Sequence, residues 1–448
     1  MTWALAGAVI GVVASALPGI HVNLLAVALL AWGAGPWGAP FLVAALAASP
    51  FGLALSATFL GGPGDDSALS SLPAHALARE GRAREAVALQ AWGALLGILL
   101  ALPLAFLARG LLVPLASALV AGMPWLILAI VVALVFSEPR RFAVHPRWMV
   151  VPWPARPMRR RPDLLDPYGL LGEGDAEVQV ERVWQVGRLS AAAGKLAALA
   201  VLALAGALGL AAFRLGAASP FGWVASPLLP LLAGLFALPS LLALALAAPP
   251  RARVAFRPPR AHLGELARAA WPGALASIVL GLAPGVSASH AGLLARPPRT
   301  PERALVRLAA VNGGAVVFTL LAWHALGKAR SGALVAAQQL APVPAWPSWA
   351  PTPMVLHEAA LVVAAALVGL ALARGVSASL ARLPARPLAA GGLALLVVAV
   401  AVFNGGVGLM VLAAAGLVGA LPARWGVRRS HAMGVILVPA LLRAWGLA

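Results

Sequence analysis

The chain has 448 residues, 62% of them hydrophobic and only 10% charged, with a mean hydropathy of +0.92, more apolar surface than any soluble domain needs to fill its core. Its 33 Lys and Arg against 14 Asp and Glu give a net charge of +19, which in a membrane chain holds loops on the cytoplasmic side and does not call for nucleic acid. With no cysteine, disulfides and thiolate metal sites are excluded.

Met1 to Ala16 is apolar and ends in Ala14-Ser15-Ala16, which resembles a signal-peptidase site. The first basic residue is Arg79, however, and the apolar character continues through 24–32, so the segment reads as retained in the membrane. Between these stretches lies Pro18-Gly19-Ile20-His21-Val22-Asn23. Pro lacks the N–H that a helix interior needs and Gly tolerates almost any backbone angle, so the pair should split its helix. Within a bilayer such a split is tolerated only where the freed backbone lines a cavity or binds something. The amides of the half-helix that follows form an anion site, with His21 and Asn23 as candidate ligands, or with Asn23 simply capping its helix.

The apolar stretch 38–60 leads into Gly61-Gly62-Pro63-Gly64-Asp65-Asp66. Four helix breakers in a row make a loop with close backbone approach. Asp65 and Asp66, the only acids in the first 79 positions, either bind a coupling Na⁺ or H⁺ or cap a wet interfacial loop. Spanning runs follow at 87–107, 191–213, 223–247, 305–326, 354–373 and 430–447. Residues 1–136 form a first membrane block. A linker at 137–190 is basic in its first half and acidic in its second, is expected in the cytoplasm, and is too proline-rich for a packed domain. Two connecting spans occupy 191–247, a second block 264–421, and a C-terminal span 430–447.

The second block repeats the first in order. With an offset of 266, Pro284-Gly285 matches Pro18-Gly19, Ser287 matches His21, Ser289 matches Asn23, and Gly327 matches Gly61. Residues 85–97 resemble 358–370, and the Gly122-Met123-Pro124 interruption corresponds to Asn404-Gly405-Gly406. The fold expected is therefore an all-α polytopic membrane protein of two pseudo-symmetric repeats with Pro-Gly-broken helices, inverted as in many transporters. Asn312-Gly313-Gly314 and Gly327 to Gly332 repeat the theme of glycine beside polar groups. Glu358, with His357 beside it, ranks below the aspartates as an intramembrane acid.

These residues resemble the permease of the tripartite tricarboxylate transporter family, the large membrane subunit TctA. The resemblance rests on Gly11 and Leu17-Pro18-Gly19, the segment 61–89, the second Pro-Gly at 284–285, Arg330-Ser331-Gly332-Ala333 and the C-terminal 427–439, and it covers most of the chain outside the linker. Asp65-Asp66 and His21 mark a divergent member. The resemblance implies a carrier in the cytoplasmic membrane that moves a small carboxylate on a Na⁺ or H⁺ gradient. A small membrane subunit and an extracytoplasmic solute-binding protein are the implied partners, and no cofactor is. The substrate is expected against Pro18, Gly19, His21, Asn23, Gly61, Gly62, Pro63, Gly64, Pro284, Gly285, Ser287, Ser289 and Asn312, with the coupling ion at Asp65 or Asp66. Two other readings stay open. An enzyme holding a metal on the acidic pair against a lipid-linked or diphosphate substrate would need a further spaced carboxylate set, which the chain lacks. A non-transporting scaffold would have no use for the two breaks.

Overall fold

A computed structural model describes residues 1–17, 22–60, 80–136, 142–146, 184–188, 191–216, 218–223, 225–246, 262–282, 288–296, 300–327, 331–341, 353–380 and 385–447, with isolated positions at 73–74, 77–78 and 298. Seven helices are long and apolar enough to cross a membrane, and two shorter apolar helices, Thr2–Ala16 (α1) and Met123–Phe136 (α5), accompany them. α1 ends at Ala16, where Leu17 turns extended at φ −88°, ψ 126°, and α2 is described over Val22–Ala31, with 18–21 outside the described residues. α3, Gly38–Leu55, continues into a π-helical turn at Ser56–Leu60. It is the centre of the bundle, with 94% of its apolar window buried.

α4, Ala83–Ala121, is followed by α5 after a one-residue break at Gly122. In the linker, the strands Phe142–Pro146 (β1) and Trp184–Arg188 (β2) pair antiparallel, Phe142 opposite Arg188 and Pro146 opposite Trp184. α6, Ala191–Arg214, and α7, Leu228–Leu246 with a π turn at Ala233–Ala237, are the two connecting spans. The second block comprises α8 (Leu263–Leu282), α9 (Ala288–Leu294), α10 (Pro301–Leu326), α11 (Gly332–Leu340), α12 (Pro353–Leu380) and α13 (Ala385–Trp425). The second Pro-Gly, 284–285, lies between the described ends of α8 and α9 and outside the described residues.

The C-terminal span expected at 430–447 takes a different form. A 3-10 turn at Arg429–Met433 precedes α14, Gly434–Ala444, whose 11 residues reach about 16 Å, roughly half the hydrocarbon thickness. Ser430 and His431 are buried in the turn, so the run is not a lipid-facing helix. α13 is also not one rod. Gly405 sits at φ 61°, ψ −157°, a region open in practice only to glycine, and breaks the 41 residues into two stretches, each near the bilayer thickness. The groups freed by that break find partners in the α6–α7 connection: Ser219 Oγ donates to the carbonyl of Val402 at 2.8 Å, and Asn404 Nδ2 donates to the carbonyl of Ser226 at 2.9 Å.

Helices pack here through small residues, because lipid offers no hydrophobic drive between apolar surfaces and association depends on close van der Waals approach. A Cβ on Gly7 would lie 2.1 Å from the Phe41 carbonyl oxygen and one on Gly11 would lie 2.4 Å from that of Ala45, so α1 lies parallel to α3 in near-backbone contact. α8 lies parallel to α10 in the same way, Gly273 against Arg307 and Gly281 against Phe318. α4 also runs parallel to α10, Gly93 against Val306 and Gly97 against Ala310. Near the end of α3, Thr58 accepts a hydrogen bond from Gln90, near the start of α4, at 3.0 Å, so these two are antiparallel. It follows that α3 and α10 run in opposite directions, and with them the pairs α1/α3 and α8/α10. One long helix of each block packs on the other block: α4 on α10, and α12 on α3.

Candidate functional site

Of the residues singled out from the sequence, Pro18, Gly19, His21, Gly61, Gly62, Pro63, Gly64, Asp65, Asp66, Pro284, Gly285 and Ser287 lie outside the described residues. Ser289 is placed by its backbone in α9, with its side chain outside the description. Asn23 and Asn312 are described.

Asn23, on the first turn of α2, reaches across to the second block. Its Oδ1 accepts the Ala333 N–H at 3.1 Å, while Ser331 Oγ accepts the Leu334 N–H at 3.1 Å. Two of the amides that open α11 are thus satisfied, one by its own N-cap and one by a residue from the far block. Asn23 thus caps a helix of the far block. The contact brings the described start of α2 to the Ser331-Gly332-Ala333 segment.

Asn312 stands half-buried in the middle of α10. Its neighbours explain the glycines beside it: Gly313 lies against the backbone of Ala94 on α4, and Gly314 against Ser277 on α8. Asn312 is therefore held where α10 is gripped from both sides, with no freedom to move apart from α4. α3 meanwhile carries the approach to 61–66 out of the protein centre. Its π turn holds Thr58, 1% exposed, which donates to the Ala54 carbonyl and accepts from Gln90. Extra-wide turns of this kind commonly sit beside functional segments.

Where α4 enters the membrane, Arg82 makes a bidentate pair with Glu85 at 2.8 Å and reaches Glu80 at 2.9 Å and Glu302, at the start of α10, at 2.7 Å. The Glu85 hydrogen bonds, followed by those of Glu80 and Glu302, hold the guanidinium well above its ordinary pKa, so it stays charged at any working pH. This cluster pins the parallel α4 and α10 at one end.

At the other end of the same pair lies a group that sequence reasoning passes over. His324, in the last turn of α10, meets Glu358, in the second turn of α12, with Nε2 2.5 Å from Oε2. The side chains are 2% and 18% exposed. A cavity of about 50 Å³ opens beside them between Leu102, Ala105 and Phe106 of α4, Val317, Leu320 and Leu321 of α10, and Val355, Ala359 and Val362 of α12. The signal available in the sequence is that each is a titratable residue within an apolar run, an expensive placement on its own. The two are 34 positions apart, and only the packing of α10 on α12 shows that they belong together. Among the described residues no group of three His, Cys, Asp or Glu is placed to hold a metal ion.

Among the described residues, seven apolar helices of spanning length, packed through glycine seams, make this a multi-pass α-helical membrane protein. The chain belongs to the tripartite tricarboxylate transporter TctA family, whose family model matches residues 1–434. No curated protein and no solved structure matches it.

Proposed function

We propose that this chain is the permease of a tripartite carrier in the cytoplasmic membrane, moving a small anionic solute, in the first instance a carboxylate, on a Na⁺ or H⁺ gradient. The observation that carries the reading is the direction of the helices around the two breaks. Inverted repeats require that equivalent helices run oppositely, and α3 and α10, the third helices of the two blocks, do. The exchange of one long helix between the blocks, α4 on α10 and α12 on α3, supports the same duplication.

In this reading the solute lies between the blocks against the amides that follow Pro18-Gly19 and Pro284-Gly285, where a helix start offers free N–H donors and partial positive charge. His21, Asn23, Ser287 and Ser289 orient it, the glycine loop at 61–64 and Asn312 close around it, and Asp65 or Asp66 takes the coupling ion. Asn23 supports this arrangement by tying the first break to α11. The tripartite family name suggests two partners, which we take to be a small membrane subunit and an extracytoplasmic solute-binding protein.

The test is uptake into proteoliposomes containing the chain with any co-purifying partners, using a panel of mono-, di- and tricarboxylates under separate Na⁺ and H⁺ gradients. Accumulation of at least one carboxylate under one gradient is expected. No accumulation under either would reject the substrate class.

A further inference from the structure

We propose that the His324–Glu358 pair is a proton-binding site inside the membrane and that a proton held there is coupled to transport alongside the ion at Asp65 or Asp66. The inference deepens the transporter reading and rests on it. Nε2 of His324 and Oε2 of Glu358 stand within hydrogen-bond reach, so a single hydrogen can bridge imidazole and carboxylate. The loaded pair carries no net charge, as imidazolium with carboxylate or as imidazole with carboxylic acid. Giving up the proton breaks one N–H bond, transfers that proton to water, and leaves neutral imidazole beside a carboxylate with a net charge of −1. No electrons change hands.

In an apolar enclosure the two states differ sharply in cost, because an uncompensated carboxylate within a membrane is worth several kcal/mol of penalty. The site is therefore stable when closed and loaded, and unloading it calls for water or a counter-charge. Both are within reach. The cavity beside the pair, about 50 Å³, has room for about three waters, and the pair supplies the polar groups on a lining that is otherwise hydrocarbon.

Among the described residues, the charges on the surrounding elements are few. α4 brings Arg109, 4% exposed, one turn beyond Ala105 on the cavity-lining stripe and at the level of His324 in the parallel α4–α10 register. On α12, His357 faces outward and Arg374 lies four turns away; on α10, Glu302, Arg303 and Arg307 lie at the opposite end; α1 and α3 bring none. Arg109 is the cation positioned to stabilise the unloaded pair. A sodium ion fits this chemistry poorly, since hard cations take shells of oxygen ligands and one partner here is an imidazole.

The experiment is an infrared difference titration of the protein reconstituted in liposomes, comparing wild type with Glu358→Gln and His324→Gln, together with citrate accumulation under a pH gradient. The wild type should show a carboxyl and imidazole protonation change that both variants lack. Citrate accumulation in Glu358→Gln should fall to the level of protein-free liposomes, while His357→Gln accumulates as the wild type does. Superimposable titrations for wild type and Glu358→Gln, or undiminished accumulation by that variant, would overturn the proposal. Should the wild type itself fail to accumulate citrate, the transporter reading is what suffers, and the infrared titration still decides the protonation of the pair.

Discussion

Replacing Gly313 by Ala puts a single methyl group into the seam between α4 and α10. Its Cβ would lie 2.0 Å from the Ala94 carbonyl oxygen and 2.8 Å from the carbonyl carbon, against the 3.4 Å at which ordinary contact begins, so the helices must part by up to 3.4 − 2.0 = 1.4 Å. The obstacle is backbone, which has no rotamer to change. Overpacking of a close-fitted interior costs about 1–3 kcal/mol, and a gap of about 1 Å on the neighbouring atoms forfeits a quarter to a half of their dispersion attraction. Gly375, within α12, meets nothing within 4 Å, and alanine there gains about 0.5–1 kcal/mol of helix preference. Because the helix preference is gained at both positions it cancels, and Gly313→Ala should be less stable than Gly375→Ala by roughly 1–3 kcal/mol. Reversible unfolding by sodium dodecyl sulfate in mixed micelles, followed by tryptophan fluorescence, measures the difference. Equal midpoints, or a more stable Gly313→Ala, would refute the account of the seam.

Three further outcomes are expected. Arg82→Ala leaves Glu85, 6% exposed, without its partner and should cost about 3 kcal/mol in the same titration. Adding Glu85→Gln should recover part of that loss, and additivity of the two changes would count against a direct pair. Asn23→Ala removes the acceptor for the Ala333 amide and should destabilise by about 1 kcal/mol, with Asn23→Asp close to wild type because it keeps the oxygen. An unchanged midpoint for Asn23→Ala would mean that the cap contributes nothing. Finally, the chain has no cysteine, so single Glu80→Cys and Ala341→Cys variants can be labelled without background. In inverted halves these positions lie on opposite faces of the membrane, and labelling of both by an impermeant maleimide from one side would contradict the helix directions.

Much of the architecture is legible in the residues. Leu17 leaves helical geometry where α1 ends, just before the first Pro-Gly, while both pairs themselves, 18–19 and 284–285, lie outside the described residues. Gly122 and Asn404-Gly405 likewise mark real interruptions, at the α4–α5 junction and at the kink in α13. Hydropathy alone misleads at the C-terminus, where a run apolar enough to span is taken up by a 3-10 turn with buried Ser430 and His431 and an 11-residue helix. Proline content in the linker is no barrier to the short β1–β2 pair, which needs only five residues on each side. The least legible facts are tertiary. Asn23 reads as a local cap until α11 is seen 310 positions away, and His324 reads as one more residue in an apolar run until α12 brings Glu358 against it. Spacing reveals what faces share an element; it says little about which elements meet.

The exchange of α4 and α12 between the blocks also bears on how the protein is made. α4 leaves the ribosome long before α10 exists, so its Gly93 and Gly97 stripe first faces lipid, at little cost because lipid tails are as apolar as the helix that later replaces them. Insertion of the first block can therefore run to completion while its folding waits for the second, and the linker at 137–190 only has to keep the two within reach. Two separately translated pieces, divided within that linker, should find each other in the bilayer and assemble through the same glycine seams.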